Sequence, residues 1–305
     1  MTFPQLSNAE RLDLLTPPDG PVRMVLDTDT YNEIDDQFAL VHALLSPDRL
    51  TVDAIYAAPF SNKRSSGPAD GMEKSYEEIL RLLERLDVSP DGLTFQGSTA
   101  YLAGPEEPQR NDAVEDLVSK ASGSDDTPLY VVAIGAITNV ASAILVEPEI
   151  IRNIVVVWLG GQPQHWPSTR EFNLGQDLHA SRLIFDCGVP FVQIPCQGVT
   201  SHLTTTVPEI DAHVAGRGPL GDFLAERFKG YSADHYAWAK EIWDISAIAY
   251  LLNPEWVPTE LVHSPILTDQ FTWSEDRSRH LIRVATAIRR NPIFRDLFQK
   301  IEKHA

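Results

Sequence analysis

Residues 22–45 read VRMVLDTDTYNEIDDQFALVHALL, and the fold turns on how this stretch divides. Val22 to Leu26 is a short apolar run bounded by acidic residues, the pattern of a buried strand. From Asp35 to Leu45 the apolar positions Phe38, Ala39, Leu40, Val41, Leu44 and Leu45 fit a mostly buried helix. Between them Asp27, Asp29, Glu33, Asp35 and Asp36 place five acids within ten residues, at a strand-to-helix turn. Leu50 to Ala57 reads as a second strand, so the unit is strand, helix, strand.

Upstream, Ser7 followed by Glu10 forms a capping box for a short leading helix that the Pro17-Pro18-Asp19-Gly20 stretch ends. Downstream the alternation continues. Met72 to Leu86 aligns Met72, Tyr76, Ile79, Leu80, Leu83 and Leu86 on one helical face. Strands are expected over Leu129 to Ile134, Ile154 to Leu159 and Val189 to Ile194, with helices over Asn139 to Leu145 and Leu178 to Phe185. Beyond residue 200 helical stretches dominate through Leu252, and shorter strand-like runs follow at Phe271 to Trp273 and His280 to Val284. The fold class is therefore α/β: a doubly wound, mostly parallel sheet with helices on both faces and a mainly helical C-terminal part. No repeat, low-complexity tract or long linker divides the chain, so residues 1–305 are expected to be a single domain.

The chain is 305 residues long and 43% hydrophobic, enough for a sizeable core. Asp and Glu number 43 against 25 Lys and Arg, a formal net charge of −18. That balance argues against a nucleic-acid backbone as partner, but not against a neutral ligand or a divalent cation. The two cysteines, Cys187 and Cys196, make no disulfide framework and suit a reduced, cytoplasmic setting. The N-terminus has neither the basic nor the apolar region of a signal peptide. No apolar run approaches the roughly 20 residues a membrane span needs.

In open α/β sheets the site lies beyond the carboxyl ends of the strands, where the acid cluster falls. Asp35 and Asp36 sit in a first helical turn, whose dipole favours carboxylates. A helix cap needs one acid, so a cluster this dense calls for a cation. It contains no Cys or His, which excludes a typical zinc site, and its hard oxygen donors point to Ca²⁺ or Mg²⁺.

Four segments in order carry a resemblance. VLDTDTYNEIDDQFAL (residues 25–40) is similar to the N-terminal motif of the inosine–uridine nucleoside hydrolase family. Ile134-Gly135-Ala136-Ile137-Thr138-Asn139-Val140-Ala141 resembles its glycine turn and Leu-Thr-Asn segment. Glu171-Phe172-Asn173 resembles its sugar-binding segment. Trp243-Asp244, followed by Ile245 to Leu251, resembles the last metal aspartate and its helix. The resemblance implies that Asp29, Asp36, Asp244 and the carbonyl of Ile134 hold Ca²⁺, with Asp29 also the base for the attacking water. It further implies that Asp35, Asn62 and Asn173 contact the ribose, that Glu171 sits near the 5′ end, and that the chain acts on small nucleosides, as a dimer or tetramer.

Trp243 stands where many members carry His. An indole cannot act as a general acid, but it can stack on a base, and the family's purine-specific branch resembles this chain there. Purine nucleosides are therefore the expected substrates. Trp166, Phe172, Tyr231, His235 and Trp238 are further candidates near the leaving group, whereas His165 and His235 taken singly read as surface residues. The family usually places three residues between the second acid and the Asp pair; here Thr30 to Ile34 makes five. Lys63 and Arg64 read as a solvated pair, with an anionic substrate group such as a phosphate as the alternative partner. Two rival readings remain. Met24 to Thr30 also matches the strand-then-Asp-x-Asp-x-Thr pattern of haloacid-dehalogenase-type phosphatases, with Asp27 as nucleophile and Mg²⁺ as cofactor. The other is a non-catalytic nucleoside or sugar binder of the same fold.

Overall fold

Apolar runs too short for helices pair edge to edge, and the helical runs between them cover the resulting faces. The structure is a computed structural model that describes residues 2–123 and 127–305. In chain order the first half comprises α1 (Asn8–Leu14), β1 (Val22–Thr28), α2 (Ile34–Leu44), β2 (Leu50–Ala57), α3 (Pro68–Arg85), β3 (Thr94–Gln96), α4 (Asp112–Ala121), β4 (Leu129–Ala133), α5 (Thr138–Val146) and β5 (Ile154–Leu159). The second half comprises α6 (Phe172–Gln176), α7 (Leu178–Asp186), β6 (Phe191–Ile194), β7 (Thr204–Thr206), α8 (Val207–His213), α9 (Gly218–Lys229), β8 (Ala239–Glu241) and α10 (Ile245–Leu252). The chain closes with β9 (Thr259–His263), β10 (Ile266–Leu267), β11 (Trp273–Ser274), β12 (Leu281–Ala285) and α11 (Arg290–His304).

Eight strands form one sheet in the order β3-β2-β1-β4-β5-β6-β12-β9. Every neighbouring pair is parallel except β12 with β9. Strands β4, β5 and β6 are buried at every residue, as parallel strands covered on both faces must be. One face carries apolar residues of α2, α3, α9, α10 and α11, among them Phe38, Ile79, Phe228, Ile248 and Leu297. The other carries α4, α5 and α7 through residues such as Leu117, Ile144 and Ile184. The doubly wound α/β expectation is borne out. The C-terminal part does more than add helices: β12 and β9 complete the sheet.

From β1 the chain winds one way to β2 and β3, then returns to β4 on β1's other side and winds the opposite way. The loops after β1 and β4 therefore diverge, and the crevice between them is where α/β sheets bind ligands.

Local readings hold where one interaction decides them. Ser7 Oγ accepts from the Glu10 amide at 3.2 Å, and the Glu10 carboxylate accepts from the Ser7 amide at 2.7 Å, closing the expected capping box. Strand β1 runs past Leu26 to Thr28 because Asp27 and Thr28 stay in register with Tyr56 and Ala57. The run at Phe271 is a turn, with Phe271 at φ 57°, and its strand begins only at Trp273. Strand β9 escaped the sequence reading because it is an edge, exposed at Glu260, Leu261 and His263.

Asn139 of α5 locks the crevice from beneath. Its Nδ2 donates to Asp27 Oδ1 at 2.8 Å and to the Ala57 carbonyl at 3.3 Å, while its Oδ1 accepts from the Ser98 amide and hydroxyl. All of this is buried, so replacing Asn139 by Ala strands a carboxylate and a carbonyl away from water. Each unsatisfied group costs about 1–3 kcal/mol, more when charged. Asn139→Ala is expected to lose at least about 3 kcal/mol of stability in urea denaturation. A loss under 1 kcal/mol would show that water replaces these bonds and that the lock is unimportant.

Candidate active site

Two helix N-termini converge on the crevice. Helix α2 opens with Ile34-Asp35-Asp36, and Asp244 occupies the N-cap position of α10, which packs against α2. Neither helix start is closed by a side-chain cap from its own N-cap residue, so both dipoles face the acids and favour negative charge there. Ligand oxygens of Asp35, Asp36 and Asp244 lie within 4.8 Å of one another, and all three residues are buried. Asp29, just past β1, is buried beside them. Opposite it Gly135 follows β4: a Cβ there would lie 3.1 Å from Asp29 Cγ, so only glycine gives the aspartate its full room.

Burial and mutual repulsion push these carboxyls up together. For Asp29 and Asp36 burial acts first, then the neighbouring carboxylate (Asp36 and Asp35 respectively); for Asp244, burial is followed by Asp35 and Asp36. Asp35 is raised by burial, against the pull of Lys240. Among the described residues, both oxygens of Asp29 and Oδ1 of Asp35 are buried without a hydrogen-bond partner. An all-oxygen cluster with orphaned carboxylate oxygens fits a hard divalent cation. Thr28 Oγ1 donates to Asp36 Oδ1 at 2.7 Å and fixes that ring of acids to the strand.

All nine residues singled out from the sequence line one cavity of ≈ 260 Å³: Asp29, Asp35, Asp36 and Asp244 on its acidic side, and Asn62, Ile134, Glu171, Asn173 and Trp243 around them. That volume lies just under the range of about 300–1,000 Å³ usual for small-molecule sites. Asn173 Nδ2 spends both hydrogens, on the carbonyls of Ile134 and Leu159 at 3.0 Å each, which leaves its Oδ1 for a ligand. The carbonyl of Ile134 therefore already accepts one bond and keeps a second lone pair. Glu171 caps α6, accepting from the amides of Gly161, Asn173 and Leu174 at 2.9, 2.9 and 3.1 Å. Burial raises its carboxyl pKa against those three bonds. Asn62 donates to Asn32 Oδ1 at 2.6 Å and accepts from the Arg64 amide at 2.8 Å. Trp243 gives its backbone N–H to Asp35 Oδ2 at 3.2 Å, and its indole Nε1 is buried with no partner among the described residues.

Other candidates fall elsewhere. Among the aromatic alternatives only Phe172 lines this cavity. Tyr231 lines a neighbouring one. Trp238 packs on Phe228 and His235, Trp166 lies against Gly198, and His235 bonds the Lys229 carbonyl. The phosphatase alternative fails: Asp27 is wholly buried, bonded to Asn139, absent from the cavity wall, and pushed up to about 7 by burial. No nucleophile in that state can meet a phosphate. Asn32, Glu33, Cys196 and Lys240 also line the cavity and were given no role from sequence. Thr28, Asn32 and Glu33 lie inside the acid-rich run itself, but nothing in their spacing reveals which way they point. Among the described residues no helix is long and apolar enough to cross a membrane, and both cysteines are free and buried.

The raised carboxyls make a linkage prediction. In the folded state they bind protons that unfolded aspartates release near pH 4, so without a cation stability falls as pH rises from about 4 toward neutrality. A cation competes with those protons, and its stabilisation grows over the same window. At a hundredfold excess over the dissociation constant it amounts to about 2.7 kcal/mol. Thermal melts with chelator and with excess Ca²⁺ are expected to diverge between pH 5 and pH 7.5, the chelated sample falling. Coincident curves at every pH would mean that no ion binds the cluster.

The profile described as inosine-uridine preferring nucleoside hydrolase matches residues 24–295. The pyrimidine-specific ribonucleoside hydrolase RihA of Enterobacter sp. (strain 638) is 30% identical to this chain over 262 residues, covering 76% of this chain and 79% of that protein. The protein of the same description from Klebsiella pneumoniae (strain 342) is 27% identical over 261 residues, covering 76% and 80%. Among solved structures, a purine-preferring ribonucleoside hydrolase from Gardnerella vaginalis superposes with a TM-score of 0.73 at 19% identity, covering 92% of this chain and 98% of that one. An inosine-guanosine nucleoside hydrolase gives 0.72 at 20% identity with the same coverage. At such identities the structural likeness speaks for the fold alone.

Proposed function

Because this chain belongs to the inosine–uridine preferring nucleoside hydrolase family, and so hydrolyses N-glycosyl bonds, we propose that its four buried aspartates hold Ca²⁺ and a ribose in one cavity and direct water at the anomeric carbon. The observation that carries this reading is the pair of orphaned oxygens on Asp29 beside Asp35, Asp36 and Asp244. Asp29, Asp36, Asp244 and the free lone pair of the Ile134 carbonyl would hold the ion. When bound, it supplies electrostatic acidification of the attacking water.

The protein's own groups do the rest. Asp29, with no competing donor, takes the proton from water. Asp35 Oδ1 and Asn173 Oδ1 accept from ribose hydroxyls and orient the ring. Asn62 keeps one N–H of its amide for the sugar, and Glu171 faces the 5′ end while its three amide bonds hold Asn173 in place. As the bond to the base breaks, the sugar approaches an oxocarbenium ion, and surrounding carboxylates stabilise that positive charge. The non-catalytic binder is set aside with the family assignment. A cytoplasmic location and a homo-oligomeric state belong to the same proposal.

The base preference rests on Trp243. It lines the cavity, so its indole face can stack on a base; the larger purine face gains more from stacking, worth about 1–3 kcal/mol. The 30%-identical relative is described as pyrimidine-specific, which makes uridine the competing substrate. Release of ribose from inosine and uridine, with and without chelator, decides between them. Inosine is expected to turn over faster, and chelator to stop both. Trp243→Ala is expected to lower kcat for inosine more than it raises KM. Faster uridine cleavage would overturn the purine preference while leaving the ribosidase reading intact. Asp29→Asn is expected to cut turnover about 10²–10⁴-fold in a folded protein; near-normal activity would remove Asp29 from its role.

A further inference from the structure

The nucleoside cavity adjoins a second one, ≈ 520 Å³, with which it shares Asn32, Glu33, Asn62 and Lys240 as a common wall. In a chain of net charge −18 the second cavity is unusual: four cations, Lys63, Arg64, Arg227 and Lys240, face two carboxylates, Glu33 and Glu226. Two of the cations are committed. Lys240 pairs with Glu33, and Arg227 pairs with Glu78 at 3.2 Å. Among the described residues Lys63 and Arg64 have no carboxylate partner.

Arg64 is held for use. Its guanidinium carbon lies 4.9 Å from the Tyr31 ring centroid and 5.4 Å from that of Tyr231, and its Nη1 donates to the Tyr231 hydroxyl at 3.0 Å. Its amide donates to Asn62 Oδ1, and its carbonyl accepts from Lys74 Nζ at 2.9 Å. Backbone and side chain are thus both fixed, and the remaining guanidinium N–H groups have no protein partner among the described residues. Such a preorganised fork recognises carboxylate or phosphate.

The geometry points to a substrate that carries an anionic group, carboxylate or phosphate, which leaves the nucleoside cavity and binds Arg64 and Lys63 in the second one. This rests on the ribosidase reading and deepens it. The acidic shell of the protein repels an anion, and a local set of cations is what admits one. Loop Tyr31-Asn32-Glu33, which lengthens the turn between Asp29 and Asp35, builds the shared wall and places Tyr31 against Arg64. The two features that set this site apart therefore belong to one structure.

The experiment compares matched pairs in the Ca²⁺-loaded protein: uridine with orotidine, whose base bears a carboxylate, and inosine with inosine 5′-monophosphate. In at least one pair kcat/KM for the anionic member is expected to exceed that of its neutral parent by roughly 10- to 100-fold, and the responding pair identifies which end of the nucleoside faces Arg64. The advantage is expected to shrink with added salt and to fall in Arg64→Gln and Lys63→Ala more than turnover of the parent does. Arg64→Lys should keep part of it, since the charge remains. Calorimetric binding of the same four compounds gives a readout independent of turnover. If no compound is hydrolysed but the anionic ones bind tighter and lose that gain in Arg64→Gln, the ribosidase reading fails and the anion site stands. If neutral parents are cleaved and bound as well as both anionic partners, or the variants affect each pair equally, the anion site is overturned.

Discussion

Four aspartates that cannot all be charged together without help govern this molecule. Asp29 comes from the end of β1, Asp35 and Asp36 from the first turn of α2, and Asp244 from the head of α10. Each is buried, each has its carboxyl raised, and two of them carry orphaned oxygens. Packing that brings like charges this close is stable only where something opposes their repulsion. Two converging helix dipoles and the Lys240 ammonium supply part of that opposition from within the protein. A divalent ion would supply the rest, which makes stability and chemistry two readouts of one cluster.

The surrounding architecture is arranged to hold that unfavourable group in place. The sheet reverses its winding between β1 and β4, so the loops carrying Asp29 and Gly135 part at that point and leave room for a ligand. Behind them Asn139 ties Asp27, Ala57 and Ser98 together with buried hydrogen bonds. Residues that resemble a functional motif thus divide into two kinds. Asp29 and Asn173 present free acceptors to the cavity, whereas Asn139 and Glu171 spend most of theirs on the protein. Asn139 works by position alone, outside the cavity wall, whereas Glu171 lines the cavity and also holds Asn173 through the shared start of its helix.

The two cavities give the site opposite electrostatic ends. One side gathers the carboxylates of Asp29, Asp35, Asp36 and Asp244; the other gathers Lys63, Arg64, Arg227 and Lys240. Lys240 and Glu33 form an ion pair on the boundary, so the wall is itself a charge pair that separates the two potentials. A ligand lying across the boundary would be oriented by charge as well as by shape. Such a ligand would be selected by a group remote from the bond that breaks.

What the sequence determined is whatever short-range pattern dictates. Apolar runs of four to eight residues alternating with helical faces specified the parallel sheet, because strands covered on both sides must be apolar throughout. Five acids at one strand-to-helix turn specified a cation-seeking site, because a cap needs only one. The Ser7–Glu10 capping box was legible for the same reason: both bonds are local. Only the tertiary structure decided the rest. Edge strand β9 has one side open to solvent and so carries little apolar signal, and β12 reveals its place in the sheet only by pairing with β6. Asp27 looks as acidic in sequence as Asp29, yet its strand register turns it onto Asn139 and away from the cavity. Arg64 and Lys240, 176 positions apart, share one cavity because a loop after β2 and a strand before α10 meet beside the loop that leads into α2. Spacing along a chain fixes which face of an element a residue occupies, but the partner it meets there is chosen by long-range packing.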